Sequence, residues 1–119
     1  MGFDGEMVAL EMIRKLRVPV ELIERRDRDL GSQMRRSACS VALNLAEGRR
    51  REGKDRYHLF RVAAGSAAET LICLWVAEAW GYIEEQPEAA QLLDRLLAIT
   101  WRLTHAGGTS GTRSPTPDQ

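Results

Sequence analysis

The chain has 119 residues, enough for one domain with a hydrophobic core and too few for two ordinary domains. Hydrophobic residues make up 44% and charged residues 29%, as in globular proteins, and no apolar run approaches the roughly 18 to 20 residues of a membrane span. The net charge is zero, yet the part up to Arg61 carries +4 and the remainder −4, which suits either a basic surface for nucleic acid or an oligomer of chains with unlike ends.

The first helix is predicted over about residues 5–26. The segment before it has neither the basic start nor the apolar core of a secretory signal, so a cytoplasmic protein is expected. Pro19 should kink this helix or split it, with a kink favoured, because proline removes one backbone hydrogen bond. The apolar side of the helix recurs at helical spacing: Val8 or Met12, Ile13, Leu16, Val20 and Ile23.

The second helix, predicted over about residues 29–50, carries stripes of different character. Its apolar stripe consists of Leu30, Met34, Ala38, Val41 and Leu45. Its polar stripe consists of Gln33, Ser37, Ser40, Asn44 and Glu47. A further face is small or apolar: Cys39, Ala42, Leu43 and Ala46. Because the polar stripe lies between two faces suited to burial, this helix is predicted to lie inside a bundle.

Two more helices complete the predicted fold. The third, about residues 55–80, ends at Gly81 and has an apolar side that consists of Tyr57, Phe60, Ala64, Ala67 or Ala68, Leu71 and Trp75. The fourth, about residues 87–105, begins at Pro87, which suits the first helical position. Residues 106–119 have no apolar periodicity and are predicted to be a disordered tail. The fold class is therefore all-α: an up-and-down antiparallel four-helix bundle over residues 1–105.

The polar stripe of the second helix has an expected partner on the third. Six small residues, 63–68, should let a neighbouring helix approach closely, and antiparallel packing would bring Ser37 and Ser40 near Ser66 and Glu69. A buried polar stripe is tolerated only when its members satisfy one another. We therefore expect a structural hydrogen-bonded network of Arg36, Ser40, Asn44, Glu47, Ser66 and Glu69.

Catalytic and metal-binding patterns are not apparent, so no catalytic residue, cofactor or metal is predicted. Asp55 and His58 stand at i and i+3, as in half of a di-iron bundle site, but a second such pair is missing. Glu47 and Glu69 could form a general acid/base pair, although structural ion pairs with Arg35, Arg36 or Arg61 are favoured.

The cysteines and tryptophans are assigned to packing. Cys39 and Cys73 lie in mostly apolar helical surroundings without a Cys-x-x-Cys motif, so both are expected to be buried reduced thiols. The tryptophans are expected in the core or at an interface rather than as platforms for stacked bases, because they are not interleaved with the basic clusters. They are Trp75, Trp80 and Trp101.

Arginine-rich clusters supply the candidate nucleic-acid-binding residues: Arg35, Arg36, Arg49, Arg50, Arg51, Lys54 and Arg56. The planar fork of arginine suits phosphate better than the point charge of lysine. The cluster 49–51 also lies at a predicted helix C-terminus, where cations stabilise the helix by about 0.3 to 1 kcal/mol without any ligand. Nucleic-acid contact and a solvated basic surface remain alternatives.

Two motifs give the chain a resemblance to a known family. The first is Leu30-x-x-Gln33-x-x-Arg36-x-x-x-Ser40-x-x-x-Asn44-Leu-Ala-Glu47-Gly48. The second is Phe60-x-x-x-Ala64-Gly65-Ser66-x-x-Glu69, followed by Gly81-Tyr82-Ile83. With these motifs the segment from Leu30 to Ile83 resembles the four-helix-bundle proteins of the 23S rRNA intervening-sequence type, whose relatives include the accessory variability protein of diversity-generating retroelements.

The resemblance implies a bundle that assembles into a ring-like homopentamer with no known catalytic activity. In the retroelement relative a basic surface engages nucleic acid and a reverse transcriptase. The partners expected from it are further copies of this chain, RNA or DNA, and a reverse transcriptase. The chain departs from that relative in its net charge of zero. The alternative function is a protein–protein interaction module without nucleic-acid binding.

Overall fold

The computed structural model describes residues 3–105, with side chains from Asp4 onward, and contains four α-helices. They are α1 (Phe3–Arg26), α2 (Arg28–Arg49), α3 (Gly53–Ala79) and α4 (Pro87–His105). Helix α1 packs against α2 and α4, and α3 packs against the same two helices from the other side. The fold is the expected up-and-down antiparallel four-helix bundle. The predicted tail, residues 106–119, lies outside the described residues.

The core forms where the apolar stripes of the helices face one another. Its largest fully buried apolar side chains come from all four helices: Met12, Leu16, Ile23, Met34, Val41, Leu74, Leu93 and Leu96. On α3 the buried stripe differs from the predicted one, since Tyr57 and Trp75 are exposed while Ala63 and Leu74 are buried. This shift occurs because hydrophobic residues surround α3 on nearly all sides, so periodicity alone does not select its core face.

The connection between α1 and α2 is a single residue, Asp27. Helix α1 runs without a break through Pro19 and ends where the backbone N–H of Asp27 donates to the carbonyl of Ile23 at 2.7 Å. The Asp27 side chain then accepts from the backbone N–H of Leu30 at 3.0 Å, which caps α2. The helix bounds predicted from the sequence left two residues between α1 and α2, and the structure leaves one, because Asp27 caps α2 directly.

Glycines shape the two ends of the α2–α3 pair. Gly48, near the end of α2, lies directly under the ring of Phe60 on α3, where a Cβ atom would come within 2.7 Å of that ring. Gly81 follows α3 with a φ of 78°, and the next amide, that of Tyr82, donates to the carbonyl of Ala77. This is the Schellman arrangement that ends many helices, and it needs a residue that tolerates positive φ.

Helix α3 meets the length and composition criteria of a membrane span, contrary to the expectation that no segment would do so. It has 27 residues, and its most apolar window has a mean hydropathy of 1.4. Within the described part of the chain it is the single helix that does so. Core helices of bundles meet the same criteria, and α3 buries Phe60, Leu71 and Leu74 against its neighbours.

Candidate functional site

Hydroxyl and amide side chains form a polar seam between α2 and α3. The seam consists of Gln33, Ser37, Ser40 and Asn44 on α2 and Ser66, Glu69 and Thr70 on α3. At its centre, Ser66 donates to the hydroxyl of Ser40 at 2.7 Å, and Asn44 donates to the same hydroxyl at 2.9 Å. Toward the α2 N-terminus, the Gln33 amide donates to the carboxylate of Glu69 at 2.9 Å. The seam sets the antiparallel register of the two helices.

The deepest part of the seam is the contact between Ser37 and Thr70, neither of which was predicted to join the network. Their hydroxyl oxygens are 2.7 Å apart, and the Thr70 hydroxyl also lies 2.7 Å from the carbonyl oxygen of Ser66. Ser37 belongs to the polar stripe visible in the sequence. Thr70 does not belong to a polar stripe in the sequence, because it stands between the polar position Glu69 and the core position Leu71.

Three of the six residues predicted for the network are joined directly, and three are not. Ser40, Asn44 and Ser66 share hydrogen bonds, as described above. Glu69 bonds to Gln33 instead. The other two lie outside the seam: Arg36 donates to Ser32 on its own helix, and Glu47 pairs with Arg51 at 2.6 Å.

The carboxylates that were candidates for acid/base chemistry serve different partners. Glu47 is held by the guanidinium of Arg51, and Glu69 accepts from the Gln33 amide. An arginine partner was expected for Glu69, but no arginine among the described residues donates a hydrogen bond to it. Asp55 and His58 are both exposed at the start of α3, and within residues 3–105 no group of three metal-ligating side chains comes together.

The predicted nucleic-acid-binding residues fall at two separate places on the bundle. Arg35 makes a two-point contact with Glu24, near the C-terminal end of α1, and Arg36 lies one residue further along α2. Arg49 instead pairs with Glu6, near the N-terminal end of α1. The remaining residues follow Arg49 around the α2–α3 connection. One continuous phosphate-binding surface on a single chain would therefore have to span most of the length of α1.

We define the basic end as residues 49–56 together with Arg102. Some of its arginines make contacts that stabilise the bundle. Arg51 pairs with Glu47 and lies 3.8 Å from Asp55. Arg56 donates to the backbone carbonyls of Gly48 and Arg49, the last turn of α2, at 3.2 and 2.9 Å. The Gly48 carbonyl also accepts from the backbone N–H of Arg51, so Arg56 adds a second donor there and supplies one to Arg49 at the C-terminal end of α2.

Two residues of the basic end remain available to a ligand. The side chains of Arg50 and Lys54 are exposed, and neither side chain makes a hydrogen bond or ion pair with any residue in the range 3–105. Arg49, Arg56 and Arg102 of the basic end line a cavity of about 320 Å³, together with the apolar Leu45, Phe60 and Ile99. Its lining also includes the acidic Asp4 and Glu6.

The two cysteines differ, which corrects the expectation that both are buried. Cys73 is buried on α3, and its burial, with a smaller effect from the charge of Glu69, raises the pKa of the thiol. Cys39 is exposed on α2. The small-residue face of α2 that contains Cys39 is only partly covered, because Leu43, one turn further, is also exposed.

A row of large apolar side chains on α3 points away from the core. Ile72, Trp75 and Val76 are 52%, 48% and 38% exposed, and Trp80 follows at the end of the helix. The positions 72, 75 and 76 lie on one side of an α-helix. Trp101 on α4 is also exposed. None of the three tryptophans is a core residue, so of the two places expected for them only an interface remains.

These features define a small all-α protein: a four-helix bundle with a hydrogen-bonded polar seam between α2 and α3. The model of the family described as 23S rRNA-intervening sequence protein matches residues 9–105, which include nearly all of the bundle. The chain therefore belongs to this family, as its two motifs indicated. Comparison with curated proteins and with solved structures gave no match.

Proposed function

We propose that this protein is a non-enzymatic scaffold that assembles with copies of itself, in the ring-like pentamer implied by the family resemblance. The observation that carries the proposal is the exposed apolar row Ile72, Trp75 and Val76 on α3. Large apolar side chains that lie side by side on a surface are typical of contact sites for another protein, and tryptophan is enriched at such contacts.

The charge distribution supports the same assembly. The connection from α3 to α4 carries the exposed Glu84 and Glu85, whereas Arg50 in the α2–α3 connection and Lys54 in the first turn of α3 carry unpaired positive charges. A ring is built from two different surfaces on each subunit. Attraction between the α3–α4 connection of one copy and the α2–α3 connection of another would favour contacts between different surfaces.

The test is the oligomeric state of the Ile72→Glu variant, measured by light scattering after gel filtration. The wild-type chain is expected to form an oligomer, and Ile72→Glu to give a smaller species, because a buried unpaired carboxylate opposes association. The matched control is Gln91→Glu, which adds the same charge at an exposed polar position of α4. Circular dichroism should show the same helix content in all three proteins. A monomeric wild type, or an Ile72→Glu oligomer of unchanged size, would contradict the proposal.

A second function, contact with RNA or DNA at the basic end, is favoured by the unpaired charges of Arg50 and Lys54. Fluorescence anisotropy with a labelled structured RNA tests it at several salt concentrations. Changing both residues to Gln should weaken binding and reduce its salt dependence, because fewer counterions are released. The control is Arg35→Gln, which removes a charge already paired with Glu24. Equal binding by wild type and the double variant would show that the basic end is not the contact surface.

A further inference from the structure

A groove of about 570 Å³ runs between α3 and α4, apart from the polar seam and from the basic end. Its lining includes Arg61, Ala64 and Gly65 from α3 and Thr100, Trp101 and His105 from α4. The volume lies within the range of small-molecule sites in proteins. No Asp or Glu is among the lining residues, although the chain contains 17 acidic side chains.

An aromatic stack forms one wall of this groove. The rings of Trp101 and His105 lie 4.1 Å apart between centroids, with an angle of 12° between their planes. His105 is held in place because its Nδ1 lies 2.8 Å from the carbonyl oxygen of Trp101, to which it donates. Trp101 remains 60% exposed. The stack is therefore fixed, flat and open, and another flat ring could extend it.

A cation without a carboxylate partner lies on the other wall. The Arg61 guanidinium donates to the hydroxyl of Tyr57 at 3.3 Å and lies 5.7 Å from the centre of the Tyr57 ring. It makes no ion pair with any described residue. Tyr57 thus orients the guanidinium but leaves its charge available for an anion, and a planar guanidinium suits phosphate.

The space between the two walls is kept open by small residues. Gly65 is exposed, and a Cβ atom built on it would meet nothing within 4 Å. Ala64 lies beside it. A flat group could therefore approach the α3 backbone closely while it contacts Trp101.

We propose that this groove binds an unpaired nucleotide of single-stranded RNA or DNA, with the base stacked on the Trp101–His105 pair and a phosphate at Arg61. This site extends the nucleic-acid half of the proposed function to side chains outside the basic end. Stacking on aromatic side chains is available to every base, so the groove accepts different sequences. A base inside a duplex is already stacked on its neighbours and is excluded. The expectation that the tryptophans are not base platforms rested on their distance along the chain from the basic clusters, whereas Arg61 and Trp101 line the same groove.

The first experiment follows the fluorescence of Trp101 in a Trp75→Phe/Trp80→Phe variant, where it is the single tryptophan. Titration at low salt with short oligo-dT or oligo-dA should quench the emission to saturation, because a base stacks on the indole. A duplex of the same sequences should quench little. Gly65→Gln, which fills the groove from an exposed position, should abolish the quenching without a change in helix content.

The second experiment measures anisotropy of a labelled oligo-dT with the otherwise wild-type protein. Trp101→Ala should weaken binding by roughly 5- to 150-fold, as expected when one base loses its stacking partner. Arg61→Gln should lower the slope of log affinity against log salt by about 0.7, the value for one lost phosphate contact on a single strand. Trp80→Ala, which changes an exposed tryptophan directly after α3, should bind as the wild type does.

Three results would overturn the inference. One is absence of quenching at low salt, and another is equal quenching by the duplex. The third is a change in Trp101 emission that follows protein concentration without oligonucleotide, which would show that a second copy covers the groove. The basic end is tested separately: if Arg50→Gln/Lys54→Gln weakens RNA binding while Trp101 is never quenched, the groove proposal fails and the second function stands.

Discussion

The hydroxyl oxygens of Ser37 and Thr70 lie 2.7 Å apart across the α2–α3 interface, and the two residues are only 4% and 0% exposed. Each hydroxyl also lies within hydrogen-bond distance of a carbonyl on its own helix, that of Met34 for Ser37 and that of Ser66 for Thr70. Because each hydroxyl has one proton, one of them donates to its carbonyl and the other donates across the interface. Buried hydroxyl groups are costly when they lack partners. The pair therefore favours one register of α2 against α3, whereas an apolar interface would tolerate several.

The first prediction is that Ser37 and Thr70 are energetically coupled. Ser37→Ala and Thr70→Val should each lower the free energy of unfolding by about 1 kcal/mol, because a buried hydrogen bond is lost. The double variant should cost less than the sum of the two, since neither hydroxyl is then left alone. Urea denaturation of the four proteins measures the coupling. Thr104→Val, which removes bonds only within α4, is the control. Strict additivity would mean that the contact contributes nothing.

The second prediction compares two glycines in helices. Gly48→Ala should lower stability by about 1 to 3 kcal/mol, because its Cβ would lie 2.7 and 2.8 Å from two ring carbons of the buried Phe60. Gly65→Ala should raise stability by up to about 1 kcal/mol, since alanine favours helix and the new Cβ meets nothing. Thermal unfolding of both variants tests the difference in sign. Destabilisation by Gly65→Ala would show that this surface is in close contact with something else.

The third prediction concerns thiol reactivity. A thiol reagent that absorbs on reaction should modify Cys39 quickly in the folded protein and Cys73 only after unfolding, because Cys73 is buried and its thiol pKa is raised. Because burial raises the pKa of the Cys73 thiol, raising the pH within the stable range should not make Cys73 react in the folded protein. Cys39→Ser should leave the native protein almost unreactive. Rapid modification of both thiols would contradict the described packing of α3.

Most of the fold was accessible from the sequence, because apolar spacing and local signals dominate it. The stripe from Met34 to Leu45 indicated the core face of α2, and Pro87 marked the start of α4. Helix α3 was harder, since apolar residues surround it and the exposed Trp75 looks as suitable for the core as the buried Leu74. Only the positions of α2 and α4 select which side of α3 is buried.

The candidate sites were less predictable, because they depend on which side chains meet across the bundle. The pair of Arg49 with Glu6 joins residues far apart in the chain, and its effect is to neutralise an arginine that looked available. The local pair of Arg51 with Glu47 could be predicted from the sequence, because the two residues are separated by the spacing of one helical turn. The groove beside Trp101 could not be anticipated, since Arg61 reaches it through the antiparallel packing of α3 against α4.

The one-residue connection at Asp27 limits how the length of this protein can change. An inserted residue that lengthened either helix would turn α1 by about 100° relative to α2, because an α-helix has 3.6 residues per turn. Met12, Leu16 and Ile23 would then swing out of the core together. The connection between Ala79 and Pro87 can change in length without rotating either helix. Members of this family should therefore differ in length mainly at the α3–α4 connection. The segment from α1 to α2 should have the same length in all of them.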